Sequence, residues 1–511
     1  VDLGHEVHLL CQDRHPERQP FVDAAGNWEQ GSLRVRTLRS RDGGHARCTV
    51  YRPDIGSLLP VYVADRYEGV QARAFVECTD AQIVAYIDAN VAAVREVVAR
   101  ARPEIALANH LVMGPVILAR ALSGVPYAVK IHGSALEYTV KRDPDRFLAY
   151  AREGLAGARA ILVGSRHTAV SLWDALDDPT LRRHTRLGPP GVDVELFAPR
   201  EPARAREGLI ELTARLRSGA SRLPAASPGR DAPGEDAFAR DDSAAARALE
   251  RLDPERDRLV AFVGKLIVSK GVDLLLAAWP LVLERVPAAR LVVVGFGAYR
   301  SGLESLLAAL AAGDLDRARE IALAGRSLEG SPSSVLRRPS AQRPLRHLLA
   351  FLDGLRDSER AGYLTAAQAL PERVLFTGRL DHEELGELLP ACEALVVPST
   401  FPEAFGMVAA EGAACGALPI GAAHSGLAEV ADALARAVPA PVAPLLSFPI
   451  DDSAVRALAG RVVEWLQADP ALRAGARAGL VSTVRERWSW EGVARGVIAA
   501  TRGELDALAK P

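Results

Sequence analysis

Two glutamates, Glu403 and Glu411, lie eight positions apart in the 511-residue chain and are the residues best placed to do chemistry. Glu403 sits in a turn between Pro402 and Gly406, whereas Glu411 falls within an apolar, alanine-rich run. A helix that begins near Gly406 would present unpaired N–H groups and the positive end of its dipole to that turn, which suits an anion. The carboxylates could then accept hydrogen bonds from hydroxyls at either end of the bound molecule. A sugar joined to a nucleoside through a diphosphate meets these requirements; the alternative is an ordinary surface turn and helix.

Two lysines, Lys265 and Lys270, flank a predicted strand-to-helix turn upstream of the glutamates. The run Leu259–Leu266 predicts a buried strand that enters a turn at Gly264. The run Leu274–Leu283 then has the spacing of an amphipathic helix. Cations at such a turn suit a site that faces phosphate groups.

Short apolar strands alternate with helical segments through the second half of the chain. Further strands are predicted over Arg290–Val294, Val374–Phe376 and Ala394–Val397. They end in Gly295-Phe296-Gly297, Thr377-Gly378-Arg379-Leu380 and Pro398-Ser399-Thr400, respectively. The alternation predicts a parallel sheet with helices on both faces, in which ligands bind at the carboxyl ends of the strands.

The first half of the chain shows the same alternation. Its predicted strands are Gly4–Leu10, Ile105–His110, Pro126–Gly133 and Ala160–Ser165. Ser165 is well placed to cap the following helix, and Asp143-Pro144-Asp145 predicts a helix start rather than a metal motif. His132 stands at the polar end of the third strand. An ordinary loop histidine is the alternative to a functional one.

These residues together resemble the retaining glycosyltransferases of the family 4 type, which have the GT-B fold. The matching motifs are Gly264-Lys265-Leu266 with Lys270-Gly271, Gly295-Phe296-Gly297, Phe376–Leu380, Pro398-Ser399 with Pro402–Gly406, and the pair Glu403 and Glu411. Five spaced elements agree in order, and Gly191-Val192-Asp193 resembles the family's exit into the interdomain linker. Lys265 stands where the family usually has arginine, so the charge is kept while the bidentate fork is lost. The resemblance implies an α/β protein of two doubly wound, Rossmann-like domains that face a cleft.

The resemblance also implies a set of site residues. The expected catalytic residues are Glu403, His132 and Lys270. The expected donor-binding residues are Gly264, Lys265, Lys270, Arg379, Leu380, Phe405, Gly406, Met407, Val408 and Glu411. The implied reaction is hexosyl transfer from a UDP- or GDP-sugar with retention of configuration, without a cofactor or a metal ion. The expected acceptor is an unidentified sugar, lipid-linked molecule or small molecule.

The same resemblance sets the expected domain boundaries. Residues 1–200 would form an acceptor-side domain and 258–485 a nucleotide-sugar domain, with a final helix over 486–511 that returns to the first domain. Because the chain starts at Val1-Asp2-Leu3-Gly4, where the family leaves its first helix, the first strand and its glycine-rich loop are expected to be missing. Activity of the chain without that strand is therefore an open question at this point.

Two segments are expected to be insertions. Residues 201–257 are rich in Ala, Arg, Pro, Ser, Gly and Asp, as in Pro224–Asp231, which predicts a flexible linker between short helices. Residues 313–370 are polar around Gly330–Ser334 and become amphipathic from Leu345 to Leu355. A basic patch there consists of Arg337, Arg338, Arg343 and Arg346. A solvated insertion is favoured over an element that docks an acceptor or a membrane surface.

Composition excludes several classes of protein. The formal net charge of −2 argues against general nucleic-acid binding. No apolar run is long enough to span a membrane. The five cysteines form no C-x-x-C pair and no zinc-type cluster with histidine, which favours buried, reduced thiols in the cytoplasm.

Three alternatives stay open beside a glycosyltransferase. The first is a sugar phosphorylase of the same fold, for which phosphate would be the acceptor. The second is a sugar-nucleotide epimerase of the same fold. The third is a catalytically impaired protein that only binds a sugar nucleotide.

Overall fold

The computed structural model describes residues 1–40, 46–62, 71–219, 240–329 and 344–511. The chain divides into two compact units, one formed by residues 1–189 with 493–511 and the other by residues 190–492. The boundaries expected at 200, 257 and 485 stay predictions. The predicted flexible run Pro224–Asp231, the polar stretch Gly330–Ser334 and three of the four patch arginines lie outside the described residues.

The strands of the first unit form separate sheets. In chain order they are β1 (Val7–Leu10), β2 (Ala24–Glu29), β3 (Ser32–Thr37), β4 (Cys48–Arg52), β5 (Leu58–Val61), β6 (Gln71–Ala74), β7 (Ala106–Asn109), β8 (Tyr127–Ile131), β9 (Ala160–Val163) and β10 (Thr185–Leu187). One sheet has the order β1-β4-β2-β3, a second has the order β10-β9-β8-β7, and β5 pairs with β6. Pairing is parallel except between β2 and β3. The four strands predicted for this half are confirmed, as β1, β7, β8 and β9.

Two helices of the first unit begin where the sequence predicts. They are α1 (Asp80–Ala101), α2 (Gly114–Ala121), α3 (Pro144–Ala156), α4 (Arg166–Leu176) and α5 (Leu181–His184). The Ser165 hydroxyl accepts the Thr168 N–H, as expected of an N-cap, and Asp143 directly precedes α3. Both predicted helix starts are therefore confirmed.

The second unit contains one parallel sheet. Its strands are β11 (Arg258–Val263), β12 (Ala289–Val294), β13 (Val374–Gly378), β14 (Ala394–Val397), β15 (Leu418–Ala422) and β16 (Ser447–Phe448). The order across the sheet is β13-β12-β11-β14-β15-β16. All four strands predicted in this half are confirmed. Because the chain moves outward from β11 to β13 and then returns to β14, the strand order reverses between β11 and β14.

Helices pack around the sheet of the second unit, and several of them lie within the predicted insertions. They are α6 (Pro202–Ser218), α7 (Asp242–Leu249), α8 (Val272–Arg285), α9 (Arg300–Ala311), α10 (Leu315–Ala324), α11 (Arg346–Asp353), α12 (Asp357–Ala367), α13 (Leu370–Arg373), α14 (His382–Leu388), α15 (Met407–Ala414), α16 (Ser425–Ala435), α17 (Ala454–Gln467) and α18 (Pro470–Trp488). The short helices expected beside the linker are present as α6 and α7. The amphipathic run predicted from Leu345 forms α11, which buries Leu348, Phe351 and Leu352 in the core of this unit.

The core of the second unit centres on α8. Leu274, Leu275 and Leu276 are buried, as is Trp279, so nearly the whole helix is enclosed. Burying a large apolar side chain contributes about 1.5–3 kcal/mol, and this fixes the helix that follows the lysine turn. The last helix of the chain, α19 (Trp490–Arg502), places Ala500 against Ala128, Ala160 and Leu162 of the first unit.

Among the described residues, no helix is both long and apolar enough to cross a membrane. Cys48, Cys78, Cys392 and Cys415 are buried, Cys11 is half-buried, and all five are free thiols. The prediction that most of the cysteines are buried is thus confirmed.

Candidate functional site

The candidate site lies at the carboxyl ends of β11 and β14, where the strand order reverses. These strands are parallel neighbours, with Val260 opposite Ala394 and Ala261 opposite Leu395. The loop after β11 carries Lys270, and the loop after β14 carries Glu403. Ligands of doubly wound sheets bind in the crevice at such a point, because the loops on its two sides lead to opposite faces.

Glycines let the strand-end loops approach one another closely. A Cβ atom at Gly295 would lie 1.9 Å from the carbonyl oxygen of Gly264, and one at Gly297 would lie 2.3 Å from that of Leu266. Gly271 has a φ of +66°, and a Cβ there would lie 2.0 Å from the carbonyl oxygen of Pro398. Backbone contact of the lysine loop with the loop after β12, and with the loop after β14, therefore requires glycine at these positions.

Lys270 and Glu403 meet across this junction. Lys270 Nζ donates a hydrogen bond to Glu403 Oε1 within an ion pair, and the Ser399 hydroxyl donates to the same oxygen at 2.7 Å. The Thr400 N–H also donates to the carbonyl of Ser269 at 2.9 Å, so the loops are joined through their backbones. The two charged side chains remain about a quarter exposed, which leaves them accessible to a ligand.

The helix predicted near Gly406 begins at Met407, as α15. Gly406 has a φ of +114°, and its carbonyl accepts the first hydrogen bonds of the helix from Ala409 and Ala410. The Met407 and Val408 N–H groups therefore precede the helical ladder, at the positive end of the helix dipole. Phe405 is buried just before them.

Glu411 lies one turn further along α15 and is 5% exposed. Burial raises the pKa of its carboxyl group. The His382 ring, whose Nε2 atom lies 3.9 Å from Glu411 Oε1, acts in the opposite direction and lowers that pKa. Such a carboxylate suits hydrogen bonding to hydroxyl groups, because a ligand hydroxyl would satisfy it without adding charge.

The other predicted donor-binding residues surround the neighbouring strand ends. The Arg379 guanidinium lies 5.8 Å from the centre of the Phe296 ring and 3.2 Å from Asp381. Leu380 is buried, whereas Lys265 is exposed in the loop after β11. Gly264 lies in that same loop, against Gly295.

His132 belongs to the first unit, where it lies beside Asn109 and His110. Its Nε2 atom is 2.8 Å from Asn109 Oδ1 and therefore donates to it, and its ring centre is 5.0 Å from that of His110. Ser134 Oγ lies 3.4 Å from His110 Nδ1. The predicted strand ends at Asn109 and His132 are thus brought together by β7 and β8.

The electrostatics of this cluster keep both imidazoles neutral. Burial lowers the pKa of His132 to about 4, and the charge on Lys130 lowers it further, although part of the side chain remains exposed. Burial, together with His132, lowers the pKa of His110 to about 4. Lys130 is itself 7% exposed, and burial lowers its pKa to about 8.

The structure also adds residues that the sequence argument did not select. His382 approaches Glu411, while Ser399, His424 and Ser425 surround Glu403. A histidine at the first position of α14 and a His-Ser-Gly start to α16 are weak sequence signals, because their partners lie on other strand-end loops. The described residues contain no group of three or more His, Cys, Asp or Glu side chains arranged to hold a metal ion.

Comparison with known proteins matches part of this site to a family model. The family model described as "Glycosyl transferases group 1" matches residues 348–441, which include Arg379, Glu403 and Glu411. The D-inositol 3-phosphate glycosyltransferase of Segniliparus rotundus is 29% identical over 265 residues, covering 52% of this chain and 44% of that protein. A protein of the same name from a Mycobacterium species, strain JLS, is 30% identical over 207 residues, covering 40% and 33%, respectively.

The chain thus spans less than half the length of these curated relatives. Among solved structures, sucrose-phosphate synthase from Thermosynechococcus elongatus is similar with a TM-score of 0.50 and 17% identity, over 98% of this chain and 100% of that chain. A match at this identity shows the fold alone. The predicted GT-B fold and the resemblance to GT-B glycosyltransferases are confirmed.

Proposed function

We propose that this protein is a retaining, metal-independent glycosyltransferase of the family 4 type, acting on a nucleoside-diphosphate sugar. The observation that carries the proposal is the Lys270–Glu403 ion pair at the point where the strand order of the second unit reverses. An accessible cation and carboxylate there suit a ligand with both phosphate and hydroxyl groups. The family match over residues 348–441, which includes Glu403, also supports the proposal.

Each group at the strand ends has a chemical task in this proposal. Glu411 accepts hydrogen bonds from the ribose hydroxyls, and Glu403 accepts them from the donor sugar. Lys270, Lys265 and the N–H groups of Met407 and Val408 hold the diphosphate. The same donors stabilise the negative charge that builds on the diphosphate as its bond to the sugar breaks. In this proposal, the charge of the two lysines and the positive end of α15 take the role that a metal ion has in other transferases.

The proposed course of the reaction follows from this placement. The glycosidic oxygen–carbon bond breaks, and the bonding electron pair leaves with the nucleoside diphosphate. The acceptor hydroxyl forms the new bond on the face from which the diphosphate departs, and its proton passes to that leaving group. This course retains the configuration of the sugar. His132 stays a predicted catalytic residue, and its neutral ring can donate or accept a hydrogen bond but carries no charge near pH 7.

The acceptor is proposed at the level of a chemical class. The curated relatives are named for D-inositol 3-phosphate, so this compound is the first acceptor to test. Sugar and lipid-linked acceptors follow it. Buried, unpaired cysteines support a reducing, cytoplasmic location.

The test is a screen of UDP-, GDP- and ADP-sugars for binding, hydrolysis and transfer by the 511-residue chain. We expect one donor class to bind and to turn over, and Glu403→Ala to reduce turnover far more than nucleotide binding. Turnover that requires inorganic phosphate would instead identify a phosphorylase, and an epimerised sugar nucleotide an epimerase. Binding without turnover would identify an impaired sugar-nucleotide-binding protein. A chain that binds no sugar nucleotide would refute the proposal.

A further inference from the structure

The turn that carries Glu403 is held by a hydrogen-bonded network from the start of α16. The Glu403 N–H donates to Ser425 Oγ at 2.9 Å, and the Gly426 N–H donates to the Glu403 carbonyl at 2.9 Å. Both backbone polar groups of Glu403 are therefore bound by consecutive residues that follow β15. With Lys270 and Ser399 on its carboxylate, every polar group of Glu403 has a partner from a defined element.

His424 sits at the centre of this network. Its Nε2 atom lies 2.8 Å from the carbonyl oxygen of Ser399, and its Nδ1 atom lies 3.0 Å from Ser425 Oγ. A carbonyl oxygen can only accept, so Nε2 must carry the proton. Nδ1 of the neutral ring is then an acceptor, and the Ser425 O–H donates to it. This leaves a lone pair of Ser425 Oγ directed to the Glu403 N–H.

The backbone geometry shows that this arrangement is closely packed. Ser425 has a φ of +53°, which is uncommon for a residue with a side chain. A Cβ atom at Gly426 would lie 2.6 Å from the N and Cα atoms of Phe405, and one at Gly406 would lie 2.6 Å from Leu427 Cδ2. The first turn of α16 and the Glu403 turn are thus in direct contact, and a displacement of one displaces the other.

We propose that His424 is a positioning residue that orients the Glu403 carboxylate by fixing the Ser425 hydroxyl. This inference rests on the proposed function, because it takes Glu403 to contact the donor sugar. His424 itself touches neither the donor nor the acceptor. Its effect should be largest at the sugar end of the site, since none of its side-chain hydrogen bonds reaches Glu411 or the N–H groups of α15.

The chemistry of the two ring nitrogens gives a selective test. An asparagine Oδ1 is as many bonds from the backbone as Nδ1, so His424→Asn can keep an acceptor for Ser425. A glutamine Nε2 matches the ring Nε2, so His424→Gln can keep only the donor to Ser399. We expect His424→Ala to lower kcat by roughly ten- to 10²-fold, the range expected when a reacting group is misplaced. His424→Asn should recover most of that loss and His424→Gln little of it.

The measurements separate positioning from folding. UDP-glucose, GDP-mannose and ADP-glucose are used with UDP, GDP and ADP, and affinity, kcat and Tm are measured for each variant. We expect nucleoside diphosphate affinity to stay within about twofold of the parent, because α15 and Glu411 are unchanged. His184→Ala, which removes an exposed histidine of α5 in the first unit, serves as the control. Equal rates for the Asn and Gln variants, or rates that simply follow Tm, would overturn the proposal.

A readout that does not depend on activity separates this inference from the proposed function. Ring ¹⁵N shifts of His424 in the parent chain should show a proton on Nε2 and none on Nδ1, and Ser425→Ala should change the Nδ1 signal. A proton on Nδ1 would overturn the network while leaving the transferase proposal intact. Absence of sugar-nucleotide binding by the parent chain would instead defeat the proposed function.

Discussion

The two units place different kinds of polar groups at the carboxyl ends of their parallel strands. In the second unit these ends carry an ion pair, Lys270 with Glu403, and a buried carboxyl, Glu411. In the first unit, Asn109, His110 and His132 lie at the ends of β7 and β8, and the lowered pKa of both histidines leaves them neutral near pH 7.

Under the proposed function, this difference assigns separate tasks to the two units. A diphosphate needs fixed positive charge, which the second unit supplies with lysines and the start of α15. In that proposal, the uncharged donors and acceptors of the first unit bind hydroxyl groups of the acceptor. Substitutions in the second unit should therefore have larger effects on rate than those in the first.

The largest effect is expected for Lys270→Ala. If Lys270 stabilises the departing diphosphate, its loss should reduce kcat by about 10²- to 10³-fold, on the order of 3 kcal/mol, as for a removed oxyanion donor. Steady-state kinetics with and without EDTA measures both the loss and its independence of metal. Lys141→Ala is the control, since Lys141 forms a partly exposed pair with Glu137 in the first unit. Turnover at the parent rate, or activity abolished by EDTA, would end the proposed mechanism.

The next largest effect is expected for Glu411→Gln, which should weaken nucleotide binding and raise stability. Nucleoside diphosphate binding should weaken by roughly 1.5–3 kcal/mol, the value of a hydrogen bond to a charged group. Burial raises the pKa of Glu411, so its ionisation costs stability as pH rises above the unfolded-state value of about 4.3. The variant lacks this cost, so its Tm advantage should appear above about pH 4 and grow as the pH rises further. Calorimetry against Glu464→Gln, an exposed glutamate of α17, tests both. Parent affinity would make Glu411 a structural residue only.

A smaller effect is expected for His132→Ala. A neutral hydrogen bond contributes about 0.5–1.5 kcal/mol, so kcat should fall by roughly two- to tenfold. With a pKa of about 4, His132 is already deprotonated above pH 6, and its removal should not change the shape of the pH–rate profile between pH 6 and 8. His184→Ala is the matched control. If the parent's rate changed with pH near pH 6 and the rate of His132→Ala did not, His132 would instead be identified as a titrating acid or base.

The smallest effect on rate is expected for Lys130→Met, which tests the electrostatics of the first unit. Removing the charge should raise the pKa of His132, while burial keeps that pKa below its ordinary value. The variant should also be more stable at pH 7, because a lysine with a lowered pKa is charged there at a cost. That advantage should disappear as pH rises from about 8 to about 10.4, where the folded and then the unfolded chain lose the proton. NMR titration of His132 and Tm against pH measure the two effects, and an unchanged His132 pKa would contradict this account.

Strand positions and the meeting of the two loops could be predicted from the sequence. Ala394–Val397 was predicted as a strand and has these bounds in the structure, because a continuous apolar run beside a polar end is a strong local signal. The sequence places Lys270 and Glu403 after the carboxyl ends of two separate strands, and such ends share one edge of a parallel sheet. Their contact is present, while their chemical roles stay predictions.

The network behind Glu403 could not be predicted in the same way. Ser425 binds the N–H of a residue 22 positions earlier, and His424 binds a carbonyl 25 positions earlier. Such contacts depend on the backbone path of two loops rather than on the spacing of side chains. A serine with a positive φ is also invisible in a sequence, because serine ordinarily adopts other conformations.

The separate sheets of the first unit have a consequence for handling the protein. Among the described strands, β1 pairs with β4 and β7 pairs with β8, so each lies at the edge of its sheet. Leu9 of β1 and Leu107 of β7 are 40% and 37% exposed. An open strand edge beside apolar side chains is a template for pairing with another chain. Self-association at high protein concentration is therefore expected to start from the first unit, and solubility to be limited by its edges rather than by the site in the second unit.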